Sequence, residues 1–281
     1  MEYVELVPEP RLRPFVRCFW SLQANADVGT QDVERIVPDG CPEIIVNRAD
    51  PFRRLQADGS SREQEAVLLV GPFKRAITIL PTGEVDLIGI RFEPGGLHAL
   101  LGLPMHELEG IDTCLSQADS RLRAELVAAC RPGPLQLRLP ELERLFMTWP
   151  ERTRRASLVN TGLVGAAVRL VESRLYSADG IASALGIHRR ALERTFRTEV
   201  GLSPKVYARI HRLQTVLPQL DDPHAVHDWA TLAQAYGFFD QSHLIREFRL
   251  LAGTTPRRYL EERTALASFF EAGELSHSSN P

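Results

Sequence analysis

The stretch "GFFDQSHLIREFRLLAGTTPRRYL", residues 237–260, combines basic residues with apolar residues at regular intervals and closes on a glycine, a proline and a tyrosine. A second stretch about fifty residues upstream, "GIHRRALERTFRTEVGLSPKVYA" at 186–208, carries nearly the same residues in the same order. The two stretches indicate an internal repeat, and this repeat decides how the C-terminal part of the chain folds.

Six positions of the first copy recur 52 residues later in the second copy. They are Leu192, Arg194, Phe196, Gly201, Pro204 and Tyr207, which match Leu244, Arg246, Phe248, Gly253, Pro256 and Tyr259. Farther upstream the offset shortens to 51 residues, and it relates Ile181, Ala182 and Gly186 to Leu232, Ala233 and Gly237. The second copy is therefore one residue longer between its glycine and the next helix, where a turn tolerates an insertion.

Each copy is predicted to form two helices joined by a turn. The short helices "GIASAL" and "WATLAQAY" end at Gly186 and Gly237, which can take the left-handed conformation that closes a helix. In the first copy, Leu192 and Phe196 lie four residues apart and give the second helix one buried stripe. Leu244 and Phe248 give the second helix of the second copy the same buried stripe.

Residues off the buried stripe face outward and are candidates for DNA contact. A helix-turn-helix places its second helix in the major groove, where Arg and Gln pair bidentately with guanine and adenine edges. The outward set is Arg189, Arg190, Glu193, Arg194 and Arg197 in the first copy and Gln241, Ser242, Ile245, Arg246 and Arg249 in the second. The repeat of Arg194 as Arg246 favours a DNA-reading role over a packing role.

The C-terminal domain resembles the AraC/XylS family of bacterial transcriptional regulators. The second copy is similar to the family's motif G-F-x-D-x-S-H-x-x-R-x-F-x-x-x-x-G-x-[ST]-P-x-x-Y. The matching residues are Gly237, Phe238, Asp240, Ser242, His243, Arg246, Phe248, Gly253, Thr255, Pro256 and Tyr259. The resemblance covers roughly residues 163–263 and implies two helix-turn-helix units joined by the helix "PKVYARIHRLQTVL".

The N-terminal half also resembles the β-rich sensor domain of some members, through "RIVPDGCPEIIVN" and "GIRFEPGGLHALLG". The sequence departs from the family pattern at His188, Leu244 and Leu250–Leu251. The fold is expected to survive these departures, whereas they leave the target sequence open.

Composition indicates a globular chain of about two domains, with 281 residues, 44% of them hydrophobic, 25% charged, and a net charge of −3. The first twenty residues carry no basic segment leading into an apolar run, and no stretch approaches the length of a membrane span. The four cysteines are scattered, without a C-x-x-C pair. These features predict a cytoplasmic protein without a membrane segment, a disulfide frame or a structural zinc.

The pattern along the chain predicts an α+β protein, in which a β-rich sandwich or barrel with packed helices precedes an all-α domain of two helix-turn-helix units. Short Ile- and Val-rich runs such as "CPEIIVN" and "VDLIGIRF" alternate with turn formers between about 35 and 93. Helical spacing follows, as in Leu122, Leu126 and Cys130 and in Leu142, Leu145, Phe146 and Trp149. The predicted divisions are a sensor and dimerisation domain at 1–150, a linker at 151–162, the DNA-binding domain at 163–263 and a tail at 264–281.

Two functions remain open at this point. The first is a transcription regulator that binds double-stranded DNA, with an effector or a second copy at its N-terminal domain and RNA polymerase as a further partner. The alternative is a small-molecule-binding or enzymatic β-domain whose helical part is an interaction module. No motif of a phosphate-binding loop, a zinc protease or a nucleophile elbow is present, so the chain is predicted to be neither an enzyme nor dependent on a cofactor.

Candidate sites outside the repeat are few. Asp39, Cys41 and Glu43 could contact an effector, although "PDGC" at 38–41 also has the composition of a turn. Asp240 is expected to cap the helix after it, and His243 to pack or to touch a phosphate rather than bind metal. His224 and His227 lie among aspartates but without ligand spacing, so no metal site is predicted.

Overall fold

A computed structural model of the chain describes residues 1–24, 33–56, 58–110, 112–153, 161–174, 177–220 and 228–262. These residues form ten strands and ten α-helices. Strands β1 to β10 are Glu2–Leu6, Val16–Ala24, Glu34–Ile36, Glu43–Asn47, Phe52–Leu55, Ser61–Glu63, Val67–Val70, Ile77–Pro81, Val85–Phe92 and Asp112–Cys114. Helices α1 to α10 are Gly96–Leu101, Leu115–Ala129, Leu135–Thr153, Thr161–Glu172, Ala178–Ala184, Arg189–Thr195, Pro204–Val216, Trp229–Ala235, Gln241–Ala252 and Pro256–Glu262.

The strands form two antiparallel sheets, which confirms the predicted β-rich N-terminal domain. The six-stranded sheet has the order β1-β2-β9-β4-β7-β10, and the four-stranded sheet has the order β3-β8-β5-β6. Helices α2 and α3 cover one face of the larger sheet, where Leu122 and Phe146 join a core with Phe19 and Ile90. The other face packs toward the smaller sheet.

Strand β2 shows how one strand serves both cores. Phe19 belongs to the core under the helices, and the next residue, Trp20, belongs to the core between the sheets, since successive side chains of a strand point to opposite faces. Trp20 lies opposite Gly89 of β9, where a Cβ atom would stand 1.9 Å from the indole ring. Gly89 therefore makes room for the tryptophan.

The sequence pattern predicted strands only between about residues 35 and 93, so it missed β1, β2 and β10. β2 is an inner strand of the larger sheet, between β1 and β9, and is buried along nearly its whole length. A strand buried on both faces has no alternation of apolar and polar residues, which removes the period-two signal.

The predicted linker and tail are only partly described. Helix α3 continues through Pro150 to Thr153, and α4 begins at Thr161. Residues 154–160 and 263–281 lie outside the described residues. Among the described helices none is long and apolar enough to cross a bilayer.

The helical domain packs directly on the sandwich through the loop between β3 and β4. Val37 of this loop is part of the buried core of the helical domain. The side-chain Nε2 of Gln214, on α7, donates a hydrogen bond of 2.7 Å to the carbonyl of Pro38. Gly40 lies against Tyr207, where an added Cβ would approach the ring to 2.8 Å. The loop thus fixes the sandwich on the helix that joins the two helix-turn-helix units.

Candidate nucleic-acid interface

The two units are built by the same backbone hydrogen bonds. Unit 1 consists of α5 and α6, and unit 2 of α8 and α9. The turns contain Gly186 and Gly237, with φ angles of 64° and 73°, so both glycines take the predicted left-handed conformation. After them, the N–H of Ile187 donates to the carbonyl of Ala182 at 3.0 Å, and the N–H of Phe238 donates to that of Ala233 at 2.9 Å. The turns orient the second helix of each unit alike.

The buried stripe of the second helices is confirmed in both units. Leu192, Phe196, Leu244 and Phe248 are buried in one shared core. Each phenylalanine meets a tyrosine edge to face, Phe196 on Tyr207 at 6.0 Å and Phe248 on Tyr259 at 5.4 Å between ring centroids. Because one core holds both helices, their outer faces are fixed relative to each other.

The residues predicted to contact DNA lie on the second helix of each unit or directly after it. Exposed members are Arg189, Arg190, Arg194, Arg197, Gln241, Ser242, Arg246 and Arg249, and half-buried members are Glu193 and Ile245. Ile245 packs against the shared core. Arg197 lies beyond α6, in the single π-helical turn Phe196–Val200. The exposed set presents six guanidinium groups, one amide and one hydroxyl to solvent.

The arginines of unit 1 are not equivalent. The Arg189 guanidinium bonds Glu193 Oε1 at 2.8 Å and Asp179 Oδ2 at 3.2 Å, so it bridges α6 and α5. Within the described part of the chain, no ion pair or hydrogen bond joins the Arg194 or Arg246 guanidinium to another side chain. Arg194 and Arg246 are thus available to a ligand, whereas Arg189 is held by the protein.

The start of α9 is held by side chains. Asp240 accepts a hydrogen bond of 2.6 Å from the N–H of His243, which confirms the predicted cap. The Nδ1 of His243 accepts from the N–H of Phe239 at 3.1 Å, and the His243 ring stands edge to face with Phe238 at 5.6 Å. His243 therefore packs and orders the turn, as expected. His188 is the unit 1 residue that matches Asp240, and its side chain makes no capping hydrogen bond.

Phe239 lies next to the predicted DNA-contacting residues but was not predicted to be one of them. Its side chain is 88% exposed, the largest exposure of any large hydrophobic residue that the structure describes. It directly precedes the cap of α9. The sequence held one signal for it, since the change of offset from 51 to 52 marks one extra residue in this turn.

The N-terminal domain contacts both units near the C-terminal ends of their second helices, α6 and α9. Gly201, after the π-helical turn, has a φ of 82° and lies where a Cβ would come within 2.7 Å of the carbonyl of Met105 and of Pro72. At the end of α9, the N–H of Ala76 donates to the carbonyl of Leu251 at 2.6 Å, and Arg35 donates to that of Ala252 at 3.3 Å. The N-terminal ends of these helices remain exposed.

The three predicted effector residues lie beside a buried arginine. The Nε of Arg91 donates to Glu43 Oε1 at 2.6 Å and lies 3.6 Å from Asp39 Oδ2. Trp20 also donates to Glu43, at 3.3 Å. Asp39 accepts from the N–H of Cys41 at 2.9 Å, which closes the turn. Burial raises the pKa of the Cys41 thiol, which keeps it protonated and unreactive.

A cavity lies between the two sheets, and Glu43 forms part of its wall. Its cavity volume is about 60 Å³, and it opens to solvent. Its wall is mostly apolar and includes Ile36, Ile45, Phe52, Leu68, Phe73 and Ile79. The polar groups are Glu43, Asn47, Gln64 and Glu65. Of the three predicted effector residues, only Glu43 lines this cavity.

Metal ligands are not grouped in the described residues, where no cluster of three or more His, Cys, Asp or Glu side chains occurs. The sequence cluster around His224 and His227 lies outside the described residues, apart from Asp228. Asp228 caps α8 by accepting from the N–H groups of Ala230 and Thr231.

Two family models match separate parts of the chain. A helix-turn-helix domain matches residues 181–262, and a domain of unknown function, DUF6597, matches residues 4–114. No curated protein matches the sequence.

Several solved structures resemble the chain. ToxT from Vibrio cholerae has a TM-score of 0.51 at 12% identity, covering 88% of this chain and 99% of its own. ToxT bound to an unsaturated fatty acid has a TM-score of 0.47 at 13% identity, covering 89% and 97%. The AraC-like transcriptional activator CuxR has a TM-score of 0.26 at 12% identity, covering 77% and 87%.

The first of these likenesses shows a shared fold, a β-rich domain followed by a helical one. The matched helix-turn-helix domain spans both units described above. The chain therefore carries a helix-turn-helix domain in its C-terminal part and shares the fold of ToxT, as the resemblance to the AraC/XylS family implies.

Proposed function

We propose that the two units bind one duplex together and read adjacent major grooves in a sequence-specific manner. The observation that carries this proposal is the matched pair Arg194 and Arg246, exposed at equivalent positions of two helices that share one core. Recognition helices one helical turn of DNA apart enter grooves separated by about 34 Å. One molecule would then cover roughly 15–20 base pairs.

The side chains would have different tasks at this interface. Arg194 and Arg246 would contact bases, and the neighbouring Arg190, Arg197 and Arg249 would contact bases or phosphates. Gln241 and Ser242 start α9, and the N-terminal residues of a recognition helix are those that meet base edges. Arg189 and Glu193 position each other, and Ile245 packs on the core.

The cavity between the sheets would be the effector site. Its apolar wall suits a small apolar molecule, and the Glu43 carboxylate, held by Arg91, offers an acceptor that fixes its orientation. Among the described lining residues none is cationic, while Glu43 and Glu65 are both acidic. Because Arg91 offsets the charge of Glu43, Glu65 is the acidic group of the wall that would repel an anionic effector, and the site favours a neutral or cationic molecule. Asp39 and Cys41 would act at the junction with the helical domain.

The remaining partners are those that the resemblance to the AraC/XylS family implies. Residues 1–150 would not bind DNA and would set the oligomeric state through a homodimer, and the promoter-bound protein would contact RNA polymerase. Sedimentation of the full chain tests the dimer, because a monomer at micromolar concentration would exclude it.

The DNA-binding proposal is tested by mapping the DNA that the protein occupies across a genome and titrating the full chain with a mapped duplex. We expect the mapped duplex to bind about a thousandfold more tightly than a scrambled duplex at the same salt concentration. Equal affinity for both would overturn sequence-specific binding.

The effector proposal is tested with two dyes that share a naphthylamine core, neutral N-phenyl-1-naphthylamine and anionic anilinonaphthalene sulfonate. The neutral dye should bind about tenfold more tightly, and Ile45→Phe should remove its binding by filling the cavity. Glu65→Lys should reduce the difference in affinity between the two dyes. Glu63→Lys, outside the cavity wall, should leave that difference unchanged. Equal binding of both dyes to the parent protein would contradict the charge selection.

A further inference from the structure

Phe239 combines two observations that packing within the chain does not explain. It is the extra residue of the turn in unit 2, so unit 1 has no residue at this position. Its side chain is 88% exposed, whereas the next most exposed large hydrophobic residue of the described chain, Leu137, is 68% exposed. An inserted residue that packs on nothing contributes little to the fold. Contact with another molecule would explain its exposed ring.

The backbone of Phe239 is nevertheless well fixed. Its N–H donates to His243 Nδ1 at 3.1 Å, and the next residue, Asp240, accepts from the N–H of His243 at 2.6 Å. The neighbouring Phe238 is buried and packs against the same histidine ring. The exposed ring of Phe239 therefore projects from a rigid base, which lowers the entropy cost of placing it on a ligand.

The surroundings of Phe239 indicate which partner covers the ring. It precedes the first turn of α9, and the exposed Gln241, Ser242 and Arg246 follow on the same helix. A helix N-terminus and a cationic helix face attract a polyanion rather than an apolar protein surface. Within a DNA major groove, the apolar group at the base edges is the C5-methyl of thymine, which phenylalanine side chains contact.

We propose that Phe239 contacts a thymine methyl group in the major groove read by unit 2. This inference rests on the proposed DNA-binding function and deepens it. The half-site of unit 2 then carries a thymine preference that has no counterpart in the half-site of unit 1, because unit 1 lacks the inserted residue.

The experiment compares the full chain and its Phe239→Ala variant on a mapped duplex and on the same duplex with uracil in place of every thymine of the unit 2 half-site. Uracil lacks only the C5-methyl group. The parent should bind the thymine duplex about four times more tightly than the uracil duplex, the value for one buried methyl group. Phe239→Ala should bind the thymine duplex at least about fourfold more weakly than the parent and should not distinguish the two duplexes.

Two controls separate this inference from the function on which it rests. Leu137→Ala removes an exposed leucine of α3 and should leave binding and the thymine preference unchanged. Thermal unfolding should show that Phe239→Ala folds like the parent. A parent that binds no mapped duplex would overturn the proposed function. A parent that binds, with a Phe239→Ala variant of equal affinity or equal thymine preference, would overturn the inference alone.

Discussion

Unit 1 and unit 2 are alike in their buried residues and different at both ends of their second helices, α6 and α9. The buried pairs Leu192 with Phe196 and Leu244 with Phe248 occupy one core. Yet α6 starts without a side-chain cap and continues into a π-helical turn, whereas α9 is capped by Asp240 and remains α-helical to Ala252. A repeat keeps the residues that fill the shared core and varies those that meet different neighbours.

The neighbours explain part of this difference. The π-helical turn of unit 1 packs beside Met105 and Pro72 of the N-terminal domain, through Gly201. Unit 2 is joined to that domain by hydrogen bonds to the last carbonyls of α9, from Ala76 and Arg35. The two units therefore contact the N-terminal domain in different ways.

The largest expected effect tests whether the two units contribute equally to the stability of their shared core. Phe196→Ala and Phe248→Ala should each lower the free energy of unfolding by about 3–5 kcal/mol, because each removes a buried ring that packs edge to face on a tyrosine. Urea unfolding measures this, with Leu137→Ala as an exposed control expected to change it by less than about 0.5 kcal/mol. If either variant lost less than about 1 kcal/mol of unfolding free energy, the two units would not contribute equally to the core.

Lowering the pH should destabilise the fold around unit 1. His211, on α7, lies beside Tyr207 of the unit 1 core, and burial, with a contribution from Arg17, lowers its pKa from 6.5 to about 4. The unfolded chain then binds more protons below pH 6.5, so stability should fall as the pH drops from 6.5 toward 4, by up to about 3 kcal/mol.

Urea unfolding of the full chain at pH 7 and pH 5 checks this prediction. His211→Gln should reduce the loss of stability between these values, whereas His106→Gln, at an exposed position, should not. An unchanged pH dependence in His211→Gln would assign the acid sensitivity to other groups.

Single arginine substitutions test whether the two units read DNA alike. Arg194→Ala and Arg246→Ala should leave folding intact, because both side chains are exposed. Each should weaken binding to the mapped duplex by about 1–3 kcal/mol and relax specificity at one base pair if the contact is bidentate. A phosphate contact would instead weaken binding to all sequences and lower the salt dependence by about one counterion. A double variant that binds like the parent would contradict both contacts.

The smallest effects concern the caps. Asp240→Ala should destabilise the protein by about 1 kcal/mol, since it removes the acceptor for the N–H of His243. His188→Asp should stabilise unit 1 by up to about 1 kcal/mol, because it introduces a cap where none is present. Thermal unfolding of the two variants gives opposite shifts if the difference between the units lies in capping. If both variants shifted the unfolding temperature in the same direction, His188 would have a role that a capping residue does not replace.

The sequence was sufficient to predict the repeat, its turns and the Asp240 cap, because these depend on local spacing and on residues with special backbone or capping chemistry. It was insufficient for β2, whose burial on both faces removes the alternation of a strand. Nor could it predict that Val37 joins the helical core, since this contact connects residues far apart in the chain. The exposure of Phe239 likewise follows from the tertiary placement of the turn.

The joint binding of both units is tested most directly by footprinting the full chain on a mapped site. We expect protection of roughly 15–20 base pairs, with contacts in two major grooves one helical turn apart. Insertion of about five base pairs between the two half-sites should abolish the joint footprint, because it rotates one half-site to the opposite face of the duplex. Protection confined to one groove, or a footprint that survives the insertion, would contradict simultaneous binding by unit 1 and unit 2.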